Sequence, residues 1–418
     1  MPASGSQPVS GGYRQQQAAE TVPGPSGDDV PAPPTTEPTS DSTVPDDSSP
    51  PTVPAPGFLP GFDGATFDSR IADPLLRSGA LSVSIAVAKD GRLIHAEAYG
   101  IADPATGEPA TATSRYRIAS NSKMFTATTA LELVDEGLLS LDTPGVLEPL
   151  AAQFGIQLGD PRMHDVTLRQ LLQHLSGFAD FTAEFFREGA VGCEDAAIAA
   201  LGGRLSGSPG GSFNYSNMNF CIIGLLIEVA TGDGYEQAVG DRLLTPLGIR
   251  NMRVTGNGDR REGEVVHLGS EERNFMEVLG GAGSWVATAS DLVTLVDSLD
   301  TSRPGWHPIS VELAAEMQGG GDHAQPARSH GFGLGLRIWP DGTWGHTGTI
   351  QSVRSMVIHQ PDGYTWAVLV SGNVPSDSDD LRNSVRRAFD ALGVPPGWLG
   401  SPVAFPVPDA LSVDGHPR

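Results

Sequence analysis

The chain has 418 residues, 39% of them hydrophobic, which is enough apolar material for a sizeable core. It carries 26 Lys and Arg against 50 Asp and Glu, a net charge of −24, and a field of that sign repels phosphate backbones and anionic lipid, so neither nucleic acid nor a membrane surface is an expected partner. No run approaches the ~18 apolar residues of a bilayer span, and the 52 glycines show no Gly-X-Y period, which excludes a collagen-like chain.

In chain order, residues 1–56 are mostly Pro, Ser, Thr, Gly and Asp, with one arginine and seven acidic residues. Such a composition buries too little surface to offset ordering and predicts a disordered arm. The N-terminus has no basic start followed by an apolar stretch, so no signal peptide is expected in the given sequence. Ser/Thr/Pro arms commonly join a leader or anchor to an exported domain. A secreted or cell-envelope protein is therefore expected, with the cytoplasm as the alternative.

A folded domain is expected over 57–395, followed by a Pro-rich tail at 396–418. Leu81 to Ala88 alternates as a strand, Lys89-Asp90-Gly91 turns the chain, and Arg92 to Tyr99 reads as the return strand. Ser120 to Glu136 is helical, with Gly137 placed to end it. The stretch from about 141 to 278 is mainly helix and loop, its clearest helix running from Asn219 to Ala230 and stopping at Thr231-Gly232. Strand signals return at Val353 to His359 and Tyr364 to Ser371 around a Pro361-Asp362-Gly363 turn, and a helix from Asp380 to Leu392 closes the domain. Strands at both ends with helices between predict one α/β domain, its sheet assembled from the N- and C-terminal segments around a mainly helical insertion.

The ten histidines show no metal-ligand spacing, and no phosphate-binding loop is present, so no metal and no cofactor are expected. Three motifs remain. In Ser120-Asn121-Ser122-Lys123, residues three apart share a helix face, so the Lys123 amine reaches the Ser120 hydroxyl near a helix N-terminus that favours developing negative charge. A free lysine, with a pKa near 10.4, is too protonated to act as a base unless its surroundings lower it. Tyr215-Ser216-Asn217 places a phenol and an amide just before the apolar helix, a proton relay and a substrate-amide partner, or alternatively a helix cap. Gly345-His346-Thr347-Gly348-Thr349 precedes the strand at Val353; Gly348 would let a substrate backbone approach, and the Thr349 N–H would pair with that of Ser120 as an oxyanion hole. The alternative there is a Gly-rich hairpin entry.

In this order the three motifs resemble the serine β-lactamase and penicillin-binding superfamily, with Ser-x-x-Lys, Tyr-x-Asn and His-Thr-Gly. Within it the likeness is to the D-Ala-D-Ala carboxypeptidases of actinomycetes and to class C-like hydrolases and esterases. Leu171 to Phe178 (LLQHLSGF), Gly281 to Leu292 (GAGSWVATASDL) and His330 to Ile338 (HGFGLGLRI) support it. The resemblance implies an antiparallel sheet flanked by helices, a Ser120 acyl-enzyme, and proton traffic shared by Lys123 and Tyr215, either of which is the base. It also implies that Asn217 holds the substrate amide and that Thr347 and Thr349 contact a substrate carboxylate. Arg337, in GLGLR, is expected either to bind the terminal carboxylate of D-alanine or to be a strand-edge surface residue.

Cys193 and Cys221 are the only cysteines, either a disulfide bracing the active-site floor or two buried thiols. Phe178 and Phe181 are expected to form either an aromatic wall or core or loop packing. The expected activity is hydrolysis of a D-alanyl-D-alanine-type peptide, with slow β-lactam turnover at the side. A carboxylesterase and a penicillin-sensing domain that acylates once are the alternatives.

Overall fold

The strands expected from alternation lie at the centre of a nine-stranded antiparallel sheet in the computed structural model, which describes residues 62–179, 192–256, 258–269, 275–319, 325–326 and 331–394. The strands are β1 (Ser82–Lys89), β2 (Arg92–Asp103), β3 (Glu108–Pro109), β4 (Tyr116–Arg117), β5 (Arg253–Val254), β6 (Trp285–Ala287), β7 (Gln325–Pro326), β8 (Gly331–Phe332), β9 (Arg337–Ile338), β10 (Trp344–Ile350), β11 (Val353–His359) and β12 (Tyr364–Ser371). The large sheet runs β3-β2-β1-β12-β11-β10-β9-β8-β7, so the N-terminal hairpin joins the C-terminal strands through the β1–β12 pair, Ser82 opposite Ser371. A small sheet, β4-β6-β5, stands apart.

The helices are α1 (Gly64–Arg77), α2 (Ser122–Asp135), α3 (Glu148–Gln153), α4 (Leu168–Leu172), α5 (Cys193–Leu201), α6 (Asn217–Thr231), α7 (Tyr235–Val239), α8 (Phe275–Leu279), α9 (Ala289–Ser298), α10 (Val311–Met317) and α11 (Asp379–Ala391). Side-chain alternation splits the core between the two faces of the sheet. Val83, Ile85, Val87, Trp366 and Val368 pack with Phe67 and Ile71 of α1 and Phe389 of α11. Ala86, Ala88, Ala367 and Leu369 face the other way, into the larger cluster that contains α2, α6 and α9. The small side chains lie on that second face, and α9 packs directly across β1, β12 and β11.

Helix α2 is buried nearly all round, from Ser122 to Leu131, as a helix inside a core rather than on a surface. Helix α6 stops at Gly232, whose φ of +78° puts it in the left-handed region that glycine enters without Cβ strain. Two elements differ from the expectation. Helix α1 forms on Phe67, Ile71 and Leu75, spaced four apart on one face, with Asp63 capping its start. The stretch around His346 is not a hairpin entry but a strand of its own, β10. The 1–56 arm, the 396–418 tail and Phe181 lie outside the described residues.

Candidate active site

Ser120 sits in a single 3₁₀ turn, Ala119–Asn121, that runs straight into α2. The residue before it, Ala119, has φ +47°, a left-handed conformation that costs a non-glycine residue about 1–3 kcal/mol and persists only where its surroundings hold it. Here they do. Ser355 Oγ donates to Ile118 O at 2.8 Å, Asn121 Nδ2 donates to Ser355 Oγ at 2.7 Å, and Ile118 N–H donates to Trp285 O at 3.1 Å. Strand β10 presses on the same turn. A Cβ on Gly348 would lie 2.3 Å from Ile118 O and 3.1 Å from Ala119 Cβ, so this glycine makes room for the turn that carries Ser120.

The Ser-x-x-Lys spacing delivers its contact. Lys123, fully buried, donates to Ser120 Oγ at 3.1 Å, to Asn217 Oδ1 at 2.8 Å and to Ala282 O at 2.7 Å. Its Nζ also lies 5.1 Å from the centre of the Tyr215 ring and 5.5 Å from that of Phe220. The nearby Ser122 is fully buried and its Oγ accepts the Trp285 N–H, whereas Ser120 is half-buried. Asn217 opens α6 and turns its amide oxygen to Lys123. The cap position is Ser216, without a side-chain cap bond, so the helix-cap alternative for Asn217 fails.

His346 is buried on β10, 6.4 Å ring to ring from Tyr215, and its Nε2 has no hydrogen-bond partner. Burial, with Arg337 and Lys123 nearby, holds its pKa well below the usual histidine range, so the ring is neutral. Arg337 lies on β9 between β8 and β10, opposite Gly345, and is therefore an interior-strand residue and not on the sheet edge. Its guanidinium stands 5.7 Å over the Phe332 ring, its Nε is buried without a partner, and among the described residues it has no carboxylate within ion-pair distance. Thr347 is buried and Thr349 is exposed, its hydroxyl hydrogen-bonded to Ser378 Oγ. β10 pairs with β9 only at Trp344 and Gly345, so among the described residues its edge from His346 to Ile350 has no strand beside it.

Cys193 and Cys221 form a disulfide that joins the start of α5 to α6. The bridge packs on Gly280, two residues before the carbonyl that holds Lys123. Phe178 is 3% exposed and belongs to the core, so it forms no wall. Among the described residues no cluster of His, Cys, Asp or Glu has the makings of a metal site, and no helix is long and apolar enough to cross a membrane.

The motifs did not give the supporting shell. Thr126 Oγ1 donates to Gly281 O at 2.7 Å and also meets the Tyr235 hydroxyl, to which Trp285 Nε1 donates, fixing the Gly281–Ala282 segment from behind. His174, in the LLQHLSGF stretch, packs 4.3 Å from the Tyr215 ring. The stretches around Thr126, His174, Gly281 and Trp285, not their roles, stood out in the sequence, and Tyr235 did not stand out at all.

The chain belongs to the family described as Beta-lactamase, whose sequence profile matches residues 67–391. It is 32% identical over 337 residues to penicillin-binding protein 4 of Amycolatopsis lactamdurans, covering 75% of this chain and 86% of that one. It is 27% identical over 344 residues to a D-aminopeptidase of Cereibacter sphaeroides, covering 75% of this chain and 62% of the relative. Against the protein flp of Staphylococcus aureus strain MW2, 31% identical over 186 residues, it spans only 37% of the relative. Among solved structures it resembles a D-stereospecific amidohydrolase from Streptomyces sp., with a TM-score of 0.63 and 25% identity over 77% of this chain and 98% of that one. The fold is shared with the octameric penicillin-binding protein homologue of Pyrococcus abyssi, at a TM-score of 0.67 and 23% identity over 80% of this chain and 78% of that one. The relatives that carry enzyme names are hydrolases, which supports a hydrolase here.

Proposed function

We propose that the protein is a serine hydrolase that forms an acyl-enzyme at Ser120 and releases the C-terminal residue of a D-alanyl-D-alanine-type peptide. The observation that carries the reading is the Lys123 amine, 3.1 Å from Ser120 Oγ and fixed by Asn217 and the Ala282 carbonyl. Ser120 Oγ attacks the scissile carbonyl, its proton passes to Lys123 and Tyr215, and the same pair returns a proton to the leaving amine. Water then cleaves the ester. β-Lactam turnover is a slow side reaction on the same residues.

Arg337 supports a substrate with a free carboxylate. Two cations, Lys123 and Arg337, lie close enough to both His174 and His346 to push their pKa down. Such a site suits a C-terminal carboxylate better than the free N-terminal amine implied by the name D-aminopeptidase. The disulfide supports an oxidising, secreted or cell-envelope setting.

The test compares diacyl-L-lysyl-D-alanyl-D-alanine with the same peptide amidated at its C-terminus. Wild type should prefer the free acid, and Arg337→Ala should lose most of that preference, a change of about tenfold or more for a charged hydrogen-bonded pair. Equal turnover of acid and amide by wild type contradicts the carboxylate reading and leaves the carboxylesterase as the better one.

A further inference from the structure

Tyr215 is carried on a short loop before α6, and the backbone N–H groups on either side of it both end on one residue. The Asn214 N–H donates to the His174 carbonyl at 3.0 Å, and the Ser216 N–H donates to His174 Nδ1 at 3.1 Å. Between these two bonds the imidazole packs on the phenol ring, centroids 4.3 Å apart and planes tilted by 32°. Phe220 and Phe332 box the imidazole in at 5.3 and 5.4 Å. His174 itself has φ +59°, a left-handed conformation rare for a residue with a Cβ, which aims both its carbonyl and its ring at the loop.

The protonation state is set locally. Ser176 Oγ donates to Asn219 Oδ1 at 2.6 Å, which turns Asn219 Nδ2 toward His174 Nδ1 at 3.3 Å. Two N–H groups therefore point at Nδ1, which must be an acceptor, and the single ring proton lies on Nε2. Burial, with Lys123 and Arg337 close by, holds the imidazole pKa well below its usual range, so the neutral form persists. A charged ring would break the bond to Ser216 and add a second cation beside the Tyr215 ring that Lys123 already approaches.

We propose that His174 is a positioning residue for Tyr215: as a neutral, Nε2-protonated clamp it holds the phenol in register with Lys123 and Ser120. The proposal rests on the acyl-transfer reading above. It assigns His174 no contact with substrate; its effect passes through Tyr215 alone.

That restriction gives the test. A fluorophosphonate ester reacts with an activated serine: the Ser120 Oγ–P bond forms, the P–F bond breaks, fluoride leaves, and the serine proton passes to the Lys123–Tyr215 pair. Its rate is followed by intact mass in wild type, His174→Asn, Tyr215→Phe and the double variant, and the final labelled fraction counts the folded sites. Asparagine tolerates a positive φ and keeps an acceptor for Ser216 while removing the ring. His174→Asn should slow labelling by about tenfold at an unchanged final fraction, since displacing a reacting group by a fraction of an ångström has effects of that order. In the Tyr215→Phe background the same substitution should cost no further rate. His174→Phe, which keeps the ring and loses the acceptor, should show a smaller loss that also disappears in that background. A loss that repeats in full without the Tyr215 hydroxyl, or no loss beside it, overturns the clamp. Wild type that takes no label, or takes it elsewhere than Ser120, overturns the acyl-transfer reading and the clamp together.

Discussion

The chain uses lysine twice, at Lys89 and Lys123, and arginine for its other basic residues. The proposed proton transfer requires a lysine and not an arginine at position 123, because a guanidinium does not release its proton in a protein and would not fit three converging acceptors as a point charge does. Ser120 and Ser122 show how burial selects between two serines in the same motif: the first is half-exposed beside the amine, the second is sealed against Trp285. A third buried histidine shapes stability and not chemistry. His267 accepts the Arg117 N–H on Nε2 at 3.1 Å and faces Ser352 O with Nδ1 at 2.9 Å, and burial lowers its pKa to about 3. The unfolded chain binds that proton near pH 6.5, the folded chain only near 3, so stability is fully present above 6.5 and is lost as the pH falls between the two. The slope from this residue is about 1.4 kcal/mol per pH unit, and His174 and His346 act in the same direction. Unfolding free energy measured from pH 6 to pH 4 should fall steeply, and His267→Gln should flatten the slope by about one proton. An unchanged slope in that variant contradicts the assignment.

At the scale of elements, β11 and β12 were legible to the residue because their alternation is long and bounded by turn residues. Strand β10 was not, since Gly345, His346 and Gly348 lack the β-branched run that marks a strand; what makes it one is the ladder to β11, from Trp344 opposite His359 to Ile350 opposite Val353. The Ser120, Lys123 and Tyr215 positions could be read from local spacing. His174, Trp285 and Gly281 could not, because their contacts are made across the fold and leave no periodicity. The α5–α6 bridge is an element-scale device: Cys193 and Cys221 lie 28 residues apart, and closing such a loop is worth about 3–4 kcal/mol. Denatured, unreduced protein should show no free thiols, and reduction should release two and lower the melting temperature by several degrees. Two thiols before reduction, or a melting temperature indifferent to it, contradict a structural bridge.

At the scale of the molecule, a sheet built from both chain ends supplies β10, and the helical insertion supplies α6 and the segment around Ala282. The turn that carries Ser120 and the start of α2, which carries Lys123, lie where they meet, so the candidate site exists only when the halves of the core are packed together. The chain's net charge is strongly negative, yet the seam itself holds Lys123 and Arg337. The most direct measurement is release of D-alanine from diacyl-L-lysyl-D-alanyl-D-alanine by wild type, Ser120→Ala and Ser122→Ala, each checked for a native melting transition. Acyl transfer through Ser120 predicts release by wild type, retained activity in Ser122→Ala to the extent that it folds, and none in Ser120→Ala. Release that survives in a folded Ser120→Ala variant, or no release by wild type, would contradict it.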